Sequence, residues 1–66
     1  MAVAKTIEII SGSAEGFDAA VREGIAKAAE TLDNIEGAWV KDTKVVVRDG
    51  AAAEWRVTLA ITFMVK

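Results

Sequence analysis

The chain has 66 residues with no Cys and no His, and 8 Lys and Arg against 10 Asp and Glu give it a net charge of −2. Disulfides, the usual structural zinc sites and the common nucleophile and base pairs of enzymes are therefore excluded. No basic tract favours nucleic acid, and Lys5 and Glu8 interrupt the apolar N-terminal stretch that a signal peptide or membrane span would need. We predict one cytoplasmic, non-enzymatic domain over residues 1–66.

Size and hydrophobicity together predict self-association. A fold this short leaves much of its surface uncovered, and domains below roughly 70 residues usually need a further source of stability. Hydrophobic residues make up 53% of the chain, which is more than so small a monomer can bury. Identical copies are the expected partners.

The first half of the chain predicts a strand followed by a helix. A β-branched run from Val3 to Ile10 predicts the strand, which is expected to end at Ser11-Gly12-Ser13, with Ser13 as the N-cap of the helix. The helix is predicted from Ala14 to about Asn34. Its apolar stripe has helical spacing and consists of Phe17, Val21, Ile25, Ala28 and Leu32. Gly24 beside this stripe indicates close contact with a sheet.

The second half predicts two more strands. Gly37 is able to adopt the positive φ that an exit loop or a bulge requires, and a strand follows from about Ala38 to Arg48 with a bend or bulge near Asp42 to Lys44. Asp49-Gly50 is a hairpin turn signal, although residues 51–53 could lengthen the loop. Apolar and polar residues then alternate over residues 54–65, which predicts the third strand.

These elements predict an α+β fold of order β-α-β-β. The second and third strands form a hairpin, the first strand is expected to pair with the third, and the helix covers one face of the resulting three-stranded antiparallel sheet. The other face has no helix. Its third-strand residues are small or amphipathic and suit an interface between subunits: Arg56, Thr58, Ala60 and Thr62.

Two tryptophans are the most informative side chains. Trp55 has the parity of the core face of the third strand. Trp39 has the parity of the helix-free face, where an exposed indole makes either an oligomer contact or a stacking platform for a planar ligand.

Serines and carboxylates carry weaker signals. Ser11 and Ser13 are interpreted as turn and cap residues, and the helix carboxylates Glu23, Glu30 and Asp33 as a solvated surface. Oxygen donors do gather around one predicted loop, where a calcium ion or another hard cation could be shared between subunits. They are Asp33, Asn34, Glu36 and Asp42, whose spacing matches no calcium motif that we can specify.

Three segments resemble the dodecins, small flavin-binding proteins of β-α-β-β fold. They are IEIISGSAEGFDAAVREGIAKAAETLDNIEGAWVKD, the Asp49-Gly50 turn and the closing EWRVTLAITFMVK. The resemblance covers nearly the whole chain. It implies a hollow homododecamer in which twelve helices are wrapped by their sheets, which agrees with the expectation of self-association.

The resemblance also implies binding residues, and two of them are changed here. Where flavin-binding dodecins usually carry a Trp that stacks on the isoalloxazine ring, this chain has Gly37, and where they carry a Gln on the last strand it has Arg56. Lys44 keeps the positive charge that the family often has on the second strand. Trp39 lies two residues beyond Gly37, about 6 to 7 Å along the same face, and could stack on a flavin in a shifted pose. Arg56 can donate to a flavin carbonyl but cannot accept a hydrogen bond from the ring N–H.

Two hypotheses follow. The first is a dodecin-like storage protein that binds riboflavin, FMN, FAD or a related small molecule, with Trp39, Arg56, Gly37 and Lys44 as its binding residues. The second is a structural or calcium-binding cage without flavin, in which Trp39 and Arg56 only pack or pair between subunits. No metal ligands are assigned.

Overall fold

A computed structural model describes residues 2–65, which form three strands and one helix. In chain order these are β1 (Val3–Ser13), α1 (Phe17–Ala28), β2 (Ile35–Arg48) and β3 (Ala51–Val65). The sheet order is β1-β3-β2, and both pairings are antiparallel. The predicted β-α-β-β topology and the pairing of the first strand with the third are confirmed.

The core lies between α1 and the middle of β3. Leu59, Ile61 and Val57 are at most 1% exposed, and they occupy alternate positions on β3 because successive strand side chains point to opposite faces. On α1 the most deeply buried residues are small: Ala20, Gly24 and Ala28. The buried stripe therefore differs from the predicted one: only Ala28 belongs to both, and Val21, Ile25 and Leu32 are partly buried around it. Its small residues allow the helix to approach the sheet closely. Phe17 at its start is 37% exposed.

The helix is shorter than predicted at both ends. Ser13 is the last residue of β1 and not the N-cap, because the strand continues through Ser11 and Gly12 and pairs Ser13 with Trp55. Gly16 is the N-cap, with a φ of 140° that favours glycine. The Ser13 hydroxyl instead accepts a hydrogen bond from the Glu15 backbone N–H at 3.1 Å, so it organises the turn before the helix.

The exit from the helix and the hairpin also differ from the prediction. Helical structure ends at Ala28, and the positive φ of this connection, 60°, lies at Asn34 and not at Gly37. Asn tolerates this conformation better than most residues, so β2 can begin at once at Ile35. Residues 51–53 belong to β3 and do not lengthen the loop, because Arg48 pairs directly with Ala51 across Asp49-Gly50. The predicted irregularity of β2 is present as a register shift between Val40 and Asp42.

The helix covers only part of its side of the sheet. It packs against β1 and β3. On β2, Ile35 is partly buried against the core, whereas three valines remain exposed: Val40 by 43%, Val45 by 38% and Val47 by 62%. Trp55, whose parity predicted a core position, does lie on the helix side, opposite Ser13 and Val45, but is only half-buried. No helix in residues 2–65 has the length and apolar character needed to cross a membrane.

Candidate ligand-binding face

The side of the sheet turned away from α1 is called the open face here. Residues that pair directly across strands project to the same side of a sheet, so the register identifies its members. On β3 they include Arg56, Thr58, Ala60 and Thr62, and their partners on β2 are Lys44, Asp42, Trp39 and Gly37 respectively. All four binding residues predicted from the sequence therefore lie on one face.

Trp39 forms the aromatic end of the open face. Its side chain is 70% exposed, and its partner Ala60 is too small to cover the indole. Gly37 is two residues away, and a Cβ added there would meet no atom within 4 Å. The space beside Trp39 is consequently open, and a planar molecule could lie against the indole without displacing a neighbouring side chain.

Lys44 and Arg56 form the cationic end of the open face. They are directly opposite each other, and like charges in such a pair are destabilising unless an anion compensates them. Arg56 forms an ion pair with Glu54, two residues earlier on β3. Lys44 has no ion pair with any carboxylate of residues 2–65, so its charge is available to a partner. A shallow cavity of about 120 Å³ lies here, lined by Ile10, Asp42, Thr43, Lys44, Arg56 and Thr58.

The two ends are separated within one chain. Ala60, opposite Trp39, is four residues from Arg56 on β3, which corresponds to about 13 Å along the strand. At the level of Trp39, the Lys41 Nζ reaches the Glu8 carboxylate at 2.8 Å, and this ion pair joins β2 to β1 across β3 beside Ala60, which is only 4% exposed. The structure thus places the predicted residues on one face but does not gather them into one closed pocket.

Four residues of this face were given no role in the ion pairs or the binding site by the sequence reasoning. Lys41 and Glu8 come from the two outer strands, and no local pattern links them. Glu54 has the same parity as Arg56 two residues away, so strand alternation was a usable signal for that pair. Gly12 pairs with Arg56 from β1, at a position that was assigned to a turn and not to a strand.

A second, larger depression lies on the other side of the sheet, between α1 and β1. It has a volume of about 610 Å³, and none of the predicted binding residues lines it. Its wall is largely apolar and includes Ile7, Ile9, Ala28 and Leu32.

The predicted cation donors do not assemble within one chain. Among residues 2–65 no group of three or more acidic side chains is close enough to hold a metal ion. The Asp42 carboxylate instead accepts a hydrogen bond from the Thr43 backbone N–H at 3.0 Å. The described part of a single copy therefore lacks the set of carboxylates that calcium usually requires.

Known proteins resemble this chain in sequence and in structure. The dodecin family model matches residues 3–66. The dodecin of Thermus thermophilus is 30% identical over 61 residues, which is 92% of this chain and 88% of the relative. This chain belongs to the dodecin family.

Solved dodecin structures share its fold over almost the full length. The dodecin from Streptomyces davaonensis is similar with a TM-score of 0.94 and 32% identity, covering 98% of this chain and 96% of that one. The calcium dodecin of Mycobacterium tuberculosis, described as calcium-chelating with a novel calcium-binding site, is similar with a TM-score of 0.86 and 26% identity. The comparison covers 97% of this dodecin and 91% of that chain.

Proposed function

We propose that this dodecin is a non-enzymatic binding and storage protein that holds a flavin, or a related planar molecule, against the open face between the copies of a homododecamer. The exposed Trp39 indole carries this proposal, since the space beside it is open and its cross-strand partner is small. A bound flavin would supply the colour and redox chemistry, while the chain itself contributes only binding and shielding. Its lack of cysteine suits the cytoplasm, where we expect it to act.

The residues of the open face fit such a ligand in three ways. Trp39 stacks on the ring, and stacking on an aromatic contributes about 0.5 to 1.5 kcal/mol beyond burial. Arg56 donates to a ring carbonyl, and Lys44 attracts an anionic tail, because its ammonium group lacks a carboxylate partner in residues 2–65. Gly37 contributes space.

Assembly completes the site in this proposal. The aromatic and cationic ends are about 13 Å apart along β3, and both are open to solvent in a single chain. A second copy laid against the open face would bury the ligand and bring its own Trp39 or Arg56 to the other side. The exposed valines of β2 provide apolar area for further contacts between copies.

A riboflavin titration followed by fluorescence quenching tests the proposal. We expect quenching at micromolar riboflavin, and we expect Trp39→Ala to weaken binding by about tenfold or more, because both stacking and apolar burial are lost. Trp39→Phe keeps an aromatic ring and should retain most of the affinity. Trp55→Phe is the matched control, since Trp55 lies on the helix side of the sheet and should not affect binding.

Absence of quenching in the wild-type protein would overturn the flavin assignment. The second candidate is then the calcium-binding cage, which the similarity to the calcium dodecin favours. Because one chain lacks a cluster of acidic residues within 2–65, that cage would have to bind calcium between copies. A melting temperature that rises with calcium, together with colourless protein, would support it.

A further inference from the structure

The ion pair between Glu54 and Arg56 places a hydrogen-bond acceptor beside a donor at the cationic end of the open face. The Arg56 Nε–H donates to Oε1 of Glu54. Neither side chain is fully buried, since 43% of the Arg56 side chain and 30% of the Glu54 side chain are exposed. Both groups can therefore reach a ligand without a conformational change in the strand.

Each member of the pair retains hydrogen-bonding capacity. A guanidinium carries five N–H donors, of which the bond to Glu54 uses one. Oε2 of Glu54 accepts no hydrogen bond from residues 2–65. An arginine alone offers only donors, whereas the pair offers donors and an acceptor a few ångströms apart.

We propose that Glu54 and Arg56 together recognise an imide edge, in which a ring N–H lies next to a ring carbonyl. Arg56 donates to the carbonyl oxygen and the Glu54 carboxylate accepts the N–H. This inference rests on the proposed function and specifies which edge of the planar ligand faces the cationic end. Glu54 thereby supplies the hydrogen-bond acceptor that Arg56 lacks. The pair selects rings whose edge carries an N–H beside a carbonyl over rings whose edge carries only acceptor atoms.

Gly12 on β1 makes room for this arrangement. A Cβ added at Gly12 would lie 2.8 Å from Cδ of Glu54 and 3.0 and 3.1 Å from its two carboxylate oxygens. Real Cβ atoms do not approach so closely, so the carboxylate can lie over β1 only because position 12 has no side chain. Gly12 is a positioning residue for Glu54, and through Glu54 for the Arg56 guanidinium.

Two ligands that differ at one atom test the inference. Lumiflavin has the imide N–H, and 3-methyllumiflavin carries a methyl group in its place. For the wild-type protein we expect methylation to weaken binding by about tenfold, the loss of one hydrogen bond to a charged acceptor. Glu54→Ala should bind the two ligands with nearly equal affinity, and Glu54→Gln should keep part of the preference because its amide oxygen still accepts.

Two further variants separate the position of the Glu54 carboxylate from the general effect of losing a negative charge. Gly12→Ala should reduce the preference as Glu54→Ala does, because the new Cβ displaces the carboxylate. Glu30→Gln is the matched control: Glu30 is an exposed carboxylate that pairs with Lys27, outside the open face, and its loss should leave the preference unchanged. Sedimentation of every variant confirms that assembly is intact.

The possible results distinguish the two proposals. If the wild-type protein binds neither lumiflavin nor 3-methyllumiflavin, the proposed flavin function fails. If it binds both with equal affinity, the flavin function stands and the imide contact is overturned. If it prefers the N–H form and Glu54→Gln and Glu54→Ala preserve the full preference, the acceptor is another group and the assignment of Glu54 is wrong.

Discussion

At the scale of single residues, Gly24 determines how closely α1 approaches the sheet. A Cβ at this position would lie 2.8 Å from the Ser11 Cβ and 3.0 Å from a Leu59 methyl carbon. Ser11 cannot easily move away, since its hydroxyl donates to the Ala20 carbonyl at 2.7 Å, and Leu59 is fully buried. The neighbours of Gly24 are therefore fixed on both sides.

We expect Gly24→Ala to destabilise the protein by about 1 kcal/mol. Alanine improves helix propensity by roughly 1 kcal/mol, but overpacking a fixed site costs about 1 to 3 kcal/mol. Denaturant unfolding at equal chain concentration measures the difference. Ala26→Gly, at an exposed position of the same helix, measures the difference in helix propensity between alanine and glycine without a change in packing. A Gly24→Ala variant that is more stable than the wild type would show that the helix can move away from the sheet.

The predicted binding residues illustrate what single positions reveal before a structure is known. Parity placed Trp39 and Arg56 on the helix-free face, because strand side chains alternate regardless of tertiary context. The separation of Trp39 from Arg56 was not foreseeable in this way, since it depends on the register with which β2 pairs to β3. The Lys41–Glu8 ion pair is less predictable still, because it joins two strands that are not neighbours in the sheet.

At the scale of elements, the strands were easier to predict than the ends of the helix. Alternation over residues 54–65 identified most of β3, and helical spacing identified the centre of α1. Ser13 has the chemistry of an N-cap, yet pairing of Ser13 with Trp55 extends β1 past it and moves the cap to Gly16. Tertiary pairing thus overrode a local preference. At the exit from the helix, Asn34 and not Gly37 has the positive φ.

The β2–β3 hairpin provides a test of backbone conformation. Asp49 and Gly50 both have positive φ, 52° and 75°, as a two-residue turn between twisted strands requires. A side chain at Gly50 would meet no atom within 4 Å, so any cost of Gly50→Ala arises from the backbone. We expect a loss of about 1 to 2 kcal/mol in the free energy of unfolding.

Gly37→Ala is the matched control for this hairpin variant. Position 37 is equally open but does not have a positive φ, so alanine should be neutral there or should stabilise by up to about 1 kcal/mol. If denaturant unfolding shows that Gly50→Ala and Gly37→Ala lose the same free energy of unfolding, the positive φ of Gly50 is not the cause of the loss.

At the scale of the whole molecule, a single copy leaves too much apolar surface exposed. The chain is elongated, with extents of 51 × 19 × 14 Å, and α1 packs mainly against β1 and β3. The uncovered helix-side residues of β2 include Val40, Val45 and Val47, while Trp39 is exposed on the opposite side of the same strand. Exposed apolar side chains on both sides of β2 are the reason why this 7.0 kDa chain is expected to assemble with further copies.

Val45→Lys tests whether copies meet over the helix side of β2. Burying a valine side chain contributes about 1.5 to 3 kcal/mol, and symmetry repeats the loss at every equivalent contact, so one lysine per chain should shift sedimentation from the assembled form to smaller species. Asp49→Asn adds the same unit of charge at the exposed hairpin turn, where Asn tolerates a positive φ, and should leave the assembly intact. If Val45→Lys sediments like the wild type, neighbouring copies do not cover Val45. If the wild type itself sediments as a folded 7.0 kDa monomer, the shielding of Trp39 between copies must be abandoned as well.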